Sequence, residues 1–248
     1  MYELLKRAAY PRSSAYDPVW LMTNMMGPCS VWLTEALTAD VALAPDLHVV
    51  DLGCGKAMSS IFLAREFGVR VTAVDPWISA DENEARIADA GLSGIVDAVH
   101  ADARAYVPPD GGVDGLVSVD AFHYFAQEPG ALDVLTDPVK KGGQVAVVVP
   151  GLREDGWPTH LAGHWQESFW TFKSVEWWKQ LFSGAPGLRV DRVTTVDWGL
   201  SEDWISWADA CDQWADSVGR QPYELEAAML RADSQRSLVF VMLNATRL

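Results

Sequence analysis

The chain has 248 residues, 49% of them hydrophobic and 21% charged, with 34 acidic against 19 basic side chains and a formal net charge of −15. That length suits one α/β domain with a modest addition rather than two full domains, and the composition is that of a folded chain, not a disordered one. An acidic surface of this size repels phosphate backbones and anionic lipid, so neither nucleic acid nor a membrane is an expected partner.

Residues 1–14 show no apolar signal-peptide core, and the longest apolar runs are strand length, far short of the ~20 residues that span a bilayer. Cys29, Cys54 and Cys211 are odd in number, far apart and without a CxxC pair. No disulfide framework, zinc cluster or other metal site is expected, and a reducing cytoplasm is the expected compartment.

Residues 1–45 are aromatic and Met-rich and read as a helical cover. From Leu47 strands alternate with helical patterns, as in a parallel sheet with crossover helices. Leu47–Leu52 is a strand, Gly53-Cys54-Gly55-Lys56 a loop, and 57–67 a helix stopped by Gly68. Val69–Asp75 is the second strand. A helix follows over 79–90, capped by Ser79 with Glu82 as its capping-box partner. A short strand lies near 97–101, a loop at 108–112 and the fourth strand at 116–119. A helix covers 129–135, Lys140-Lys141-Gly142-Gly143 is a turn, and Gln144–Val149 is the fifth strand. Ser174–Phe182 is helical, Leu188–Val196 a sixth strand and Ser237–Asn244 a seventh, arriving late enough to slot antiparallel into the sheet. Residues 198–232 read as a helical insertion before it. A single domain over 1–248 is expected, with the cover at 1–45, a ligand-binding half at 46–150 and a second half at 151–248.

The informative run is Val49-Val50-Asp51-Leu52-Gly53-Cys54-Gly55-Lys56-Ala57. A buried strand ends, two glycines turn the chain, and a helix begins, with amide groups expected to face an adjoining crevice. Asp75 closes the next strand, where an acid can accept both hydroxyl protons of a ribose. A dinucleotide fold needs a small residue at the last position of G-x-G-x-x-G, and Met58 stands there, which counts against a pyrophosphate-bearing cofactor.

These residues resemble the class I S-adenosylmethionine-dependent methyltransferases. The family's first motif, acid-x-G-x-G-x-small, matches Asp51, Gly53, Gly55 and Ala57, although the last position is usually glycine. Asp75 matches the ribose acid, and Asp102 the acid beside the adenine amino group. Ser118–Phe125 is similar to the segment flanking the methyl donor, and Lys141-Gly142-Gly143 to the turn before the fifth strand. The resemblance covers about residues 47–150. It implies a Rossmann-like seven-stranded sheet, mostly parallel with an antiparallel C-terminal strand, and S-adenosylmethionine as donor. The residues it places near the donor are Asp51, Gly53, Cys54, Gly55, Asp75, Pro76, Trp77, Asp102, Ala103 and Asp120.

A sulfonium methyl is already activated, so proximity and in-line orientation supply much of the rate, and a base is needed only when the acceptor must lose a proton. His123 and Tyr124, after the fourth strand, are the candidates for the reacting face. His123 either accepts a proton or packs beneath the acceptor; Asp120 either holds the donor's amino group or caps the following turn. His160 and His164 have i, i+4 spacing, but Pro158 and Gly163 weaken a helix there and no third ligand is apparent. Trp165, Phe169, Trp170, Phe172, Trp177, Trp178, Trp198, Trp204, Trp207 and Trp214 are a candidate aromatic lid, attractive to a cation, or ordinary core. Tyr10, Tyr16, Trp20, Met25 and Met26 either close over the donor or form a hydrophobic staple to the sheet.

The expected acceptor is a small metabolite or natural product, as in secondary metabolite biosynthesis. The alternatives are a nicotinamide oxidoreductase and a non-catalytic adenosylmethionine-binding protein.

Overall fold

The computed structural model describes residues 2–197, 202–219 and 224–248, with the side chains of 224–226 left aside. Its centre is a sheet of β1 (His48–Leu52), β2 (Arg70–Asp75), β3 (Val96–His100), β4 (Val113–Val119), β5 (Val139–Leu152), β6 (Lys173–Ser174), β7 (Leu188–Asp197) and β8 (Leu238–Arg247). The strand order is β3-β2-β1-β4-β5-β8-β7, with β6 pairing the end of β5. β1 to β5 run parallel, and β8 is antiparallel to both β5 and β7. This is the Rossmann-like sheet expected from the sequence, with a two-residue eighth strand that the sequence did not announce.

Helices α3 (Met58–Phe67), α4 (Ala80–Asp89), α5 (Ala131–Thr136) and α6 (Val175–Gly184) are the crossovers. Their ends follow local chemistry. Gly68 takes φ +71° and donates its amide to the Ala64 carbonyl at 3.0 Å. The Ser79 hydroxyl accepts the Glu82 amide at 3.3 Å, which is half of a capping box; the Glu82 carboxylate turns to Arg86 instead. Ser174 caps α6 through the Trp177 amide at 3.0 Å.

Alternation along β1 sorts the core into two layers. Val49 joins the cluster under α3 and the N-terminal segment, while Val50 and Leu52 face the side of α5 and α6. Asp51 shares the face of Val49, so its carboxylate is driven onto α3.

The expected turn at 140–143 lies inside β5. Val113 pairs with Val139, and the next partners are Gly115 and Gln144, so the Lys-Lys-Gly-Gly run is looped out as an irregularity within the strand. Glycines that read as a turn are accommodating that break: a Cβ on Gly143 would meet the Asp114 carbonyl at 2.7 Å.

The N-terminal segment is partly helical, with α1 (Pro18–Asn24), α2 (Ser30–Thr38) and two 3-10 turns. In the insertion, α7 (Glu202–Ser217) and α8 (Glu224–Ala232) precede β8. The two regions form one layer. Trp32 lies 5.8 Å from Trp204 and from Trp207, ring centre to ring centre, and Arg7 meets Asp203 at 2.9 Å. Among the described residues, no helix is long and apolar enough to cross a membrane.

Candidate active site

A cleft of about 250 Å³ opens at the carboxyl ends of β1, β2 and β4, where the order of an open α/β sheet reverses. Gly53, Cys54, Gly55, Asp75, Pro76, Trp77, Asp102, Asp120 and Tyr124 line it, as do Asn24, Met26, Pro28 and Ser30 from the N-terminal cover.

The two glycines act by clearing space. Gly53 takes φ +74°, and a Cβ there would lie 2.3 Å from the Ala121 Cβ; Gly55 takes φ +53°, and a Cβ there would lie 2.9 Å from the Met26 Sδ. The expectation that the loop's amides face the crevice is corrected. The Gly53 and Cys54 amides donate to the Val74 carbonyl at 2.8 and 3.1 Å, Gly55 donates to Asp75 Oδ2 at 2.8 Å, and Ala57 donates to the Cys54 carbonyl at 2.9 Å. A phosphate cradle needs those donors; a ligand without phosphate does not.

Asp75 is 4% exposed. Its Oδ1 accepts the Trp77 and Ile78 amides at 2.8 and 3.0 Å, besides the Gly55 amide at Oδ2. Two carboxylate oxygens offer about four acceptor positions, so capacity remains for a hydroxyl. Pro76 holds His100 through its carbonyl, 2.9 Å from the imidazole Nε2. Trp77 and Tyr124, 68% and 50% exposed, face each other across the mouth at 5.7 Å between ring centres.

Asp102 reaches the cleft, but Arg104, which also lines it, holds its carboxylate through contacts of 3.0 and 2.8 Å. The Arg104 side chain and amide pull the Asp102 carboxyl down to about 2. Ala103 is buried in the adjoining 3-10 turn, away from the cleft. Asp120 ends β4 at φ +57°, a conformation Asp tolerates better than most residues, and its amide donates to the Val148 carbonyl at 2.8 Å. Cys54 lines the cleft with a thiol pushed well above its usual range by burial, so it stays protonated and is no nucleophile.

Three further expectations change. Asp51 does not line the cleft: it is fully buried, its Oδ2 accepts the Ser59 and Ser60 hydroxyls at 2.5 and 2.6 Å, and its Oδ1 has no hydrogen-bond partner. Burial pushes its carboxyl up to about 6, against the downward pull of the two serines.

His123 is 1% exposed and lies behind Tyr124, with ring centres 3.9 Å apart, rather than at the reacting face. Burial lowers its pKa to about 3, leaving the imidazole neutral and a poor proton acceptor. Position after β4 was the only signal, and the chain's 3-10 turn at Phe122–Tyr124 turns His123 inward and Tyr124 outward.

Among the described residues, the C-terminal tryptophans do not line the cleft. Trp178 and Trp204 are core residues at 0% and 1% exposure, Trp207 holds the Gly27 carbonyl at 3.0 Å, and Trp198 lies outside the described residues. His160 binds Asp233 at 2.9 Å, and among the described residues no group of three or more acidic, His or Cys side chains could hold a metal.

Met58, used above against a dinucleotide, stands in the cleft lining. Asn24, Pro28, Ser30 and Arg104 also line the cleft and were not singled out from the sequence. The Gly27-Pro28 breaker pair was the available signal for the first three.

A methyltransferase-domain family model matches residues 49–143. Over 201 residues the chain is 30% identical to trans-aconitate 2-methyltransferase of Rhizobium rhizogenes, a match spanning 75% of this chain and 74% of that protein. The chain belongs to the class I S-adenosylmethionine-dependent methyltransferases. It is also 30% identical over 168 residues to 2-methyl-6-phytyl-1,4-hydroquinone methyltransferase of Synechocystis, spanning 63% of this chain and 51% of that protein. The fold aligns with an S-adenosylmethionine-dependent methyltransferase from Thiobacillus denitrificans in complex with S-adenosylhomocysteine, with a TM-score of 0.65 at 19% identity, covering 94% of this chain and 99% of that one.

S-Adenosylmethionine is therefore the methyl donor of this methyltransferase, and the oxidoreductase reading is set aside. The cleft fits that donor. Its glycine cradle is one a Cβ would fill, its buried acid is aimed by three amides, and its loop carries no free phosphate site.

Proposed function

We propose that this methyltransferase moves the methyl group of S-adenosylmethionine onto a small organic metabolite. The observation that carries this is the lining of the cleft: Trp77, Tyr124 and Phe125 share it with Asn24, Met26, Pro28 and Ser30 of the N-terminal cover. A cleft partly covered by the N-terminal segment suits a small acceptor beside the donor, and the charge of −15 disfavours nucleic acid. The relatives with methyl acceptors in their names, trans-aconitate and a phytyl hydroquinone, act on small molecules.

In this reading Asp75 holds the ribose hydroxyls, Gly53 and Gly55 leave room for the donor's amino-acid end, and Asp102 with Arg104 flanks the adenine. Asp120 and Tyr124 sit at the end of β4 beside the transferred group. The donor supplies a methyl that needs no further activation, so the residues' work is to bind, orient and exclude water. Tyr124 is a polar residue of the lining that can orient an acceptor atom, and His123 packs against its ring.

The test is transfer of labelled methyl from S-adenosylmethionine into a cell extract split into small-molecule, protein and RNA fractions. Label in the small-molecule fraction is expected. Label confined to protein or RNA overturns the reading, and absence of transfer into any fraction, with donor still bound, favours a non-catalytic binding protein.

A further inference from the structure

A second pocket, of about 180 Å³, lies beyond the end of β5 and is walled by Trp157, Trp165, Trp170, Phe172 and Trp177, with Asp155 among its lining residues. We propose that it binds a methylated ammonium group.

The aromatic walls are not packed flat on one another. Trp165 meets Trp170 at 6.0 Å and 69°, and Phe172 at 6.1 Å and 78°, while Trp157 is tilted 39° from Trp170 at 5.7 Å. Contacts of this kind, tilted or edge to face, join the rings without stacking them flat, and all of these rings border the pocket. Trp157 and Trp170 are 45% and 55% exposed, in a chain that buries Trp32, Trp178 and Trp204 almost completely. An occupant would cover apolar surface that the fold itself leaves wet.

Charge selects the occupant. Asp155 accepts the Ser174 hydroxyl, and that hydroxyl also accepts the Trp177 amide, so the carboxylate is fixed to the first turn of α6. Lys173 is the one cation among the lining residues, and its ammonium is engaged by the Trp170 carbonyl at 3.2 Å. A carboxylate beside several aromatic faces attracts a cation. A bare primary ammonium holds its water strongly, whereas methyl groups on nitrogen lower that cost and fit apolar walls.

The site is also held rigidly. β5 and β6 pair through Gly151 with Lys173 and Leu152 with Ser174, and a Cβ on Gly151 would lie 2.6 Å from the Lys173 carbonyl. The pocket is separate from the donor cleft. The His123 ring stands between them, 3.9 Å from Tyr124 on the cleft side and 5.9 Å from Phe172 on the pocket side.

The experiment is calorimetric titration of the full chain with tetramethylammonium and with its neutral near-isostere 3,3-dimethylbutan-1-ol. Tetramethylammonium is expected to bind at least about twofold more tightly than the alcohol, the minimum a single cation–aromatic contact supplies. Trp170→Ala and Asp155→Asn should each weaken tetramethylammonium at least about twofold. The Asn carbonyl can still accept the Ser174 hydroxyl, so the second variant removes charge while keeping the cap. Adenosylhomocysteine affinity should be unchanged in both, which reports an intact fold and an intact donor cleft. Equal binding of the alcohol, no binding of tetramethylammonium, or undiminished binding in both variants overturns the proposal.

Discussion

The Asp75 carboxylate accepts the Gly55 amide at 2.8 Å, so one side chain both lines the donor cleft and fixes the glycine loop beside it. Asp75→Ala should therefore act twice. Loss of a hydrogen bond to a charged acceptor weakens adenosylhomocysteine by ~1.5–3 kcal/mol, about tenfold to a hundredfold. The three amides left without their acceptor should also lower stability toward urea. Calorimetry finding wild-type affinity in a folded Asp75→Ala protein would remove Asp75 from the ribose role.

Asp51 makes stability depend on pH. Its folded-state pKa of about 6 lies above the ordinary 3.8, so the native state holds that proton longer than the unfolded chain. The stability this group contributes is complete below 3.8 and is lost as pH rises through about 6, on the order of 3 kcal/mol in all. Asp51→Asn cannot ionise, so its stability relative to wild type should improve between about pH 4 and pH 7. Urea denaturation at several pH values gives the difference directly. A difference that stays constant across that window contradicts the assignment.

His123 has the opposite linkage. Its pKa is lowered from 6.5 to about 3, so the stability it contributes is complete above 6.5 and drains as pH falls toward 3. A neutral, buried imidazole predicts no ionisation near 6.5 from this residue in the kcat profile. His123→Ala should lose about 2–4 kcal/mol of stability by emptying space beside Tyr124 and Phe172, with turnover per folded molecule changed far less. A profile with a limb near 6.5 that vanishes in His123→Asn would restore the proton-transfer role.

Trp207 ties α7 to the turn that covers the cleft, because its indole N–H donates to the Gly27 carbonyl at 3.0 Å. Adding donor should slow hydrogen exchange in residues 24–30 and 202–217 together. Trp207→Phe removes one hydrogen bond, and should weaken the donor by about twofold to tenfold while uncoupling the two responses. Independent protection of the two segments in the wild-type protein would argue against a shared cover.

Much of the donor half was legible because local rules and tertiary needs agree there. Gly53 and Gly55 between a buried strand and a helix, and an acid closing the next strand, leave few other folds. Less was legible where orientation decides. Asp51 and Asp75 are both motif acids, but strand alternation turns one onto Ser59 and Ser60 and leaves the other at the cleft. His123 and Tyr124 are adjacent, and the 3-10 turn alone determines which one faces solvent. The Trp-rich segments divided for the same reason. Trp204 and Trp207 have helical spacing and pack on Trp32, whereas Trp157 lies in irregular chain and Trp170 in a 3-10 turn too short to carry a periodic signal.

The glycine cradle is the centre of the account, and Gly55→Val probes it most directly. Its backbone lies at φ +53°, and a Cβ would enter the space between the loop and Met26. Gly91→Ala is the control, since it shares a positive φ of +71° but has nothing within 4 Å of the added carbon. Calorimetric titration with adenosylhomocysteine should show saturable binding in the wild type and in Gly91→Ala, and none in a folded Gly55→Val protein. Wild-type affinity in Gly55→Val, or no binding by the wild-type chain, would contradict the placement of the donor in this cleft.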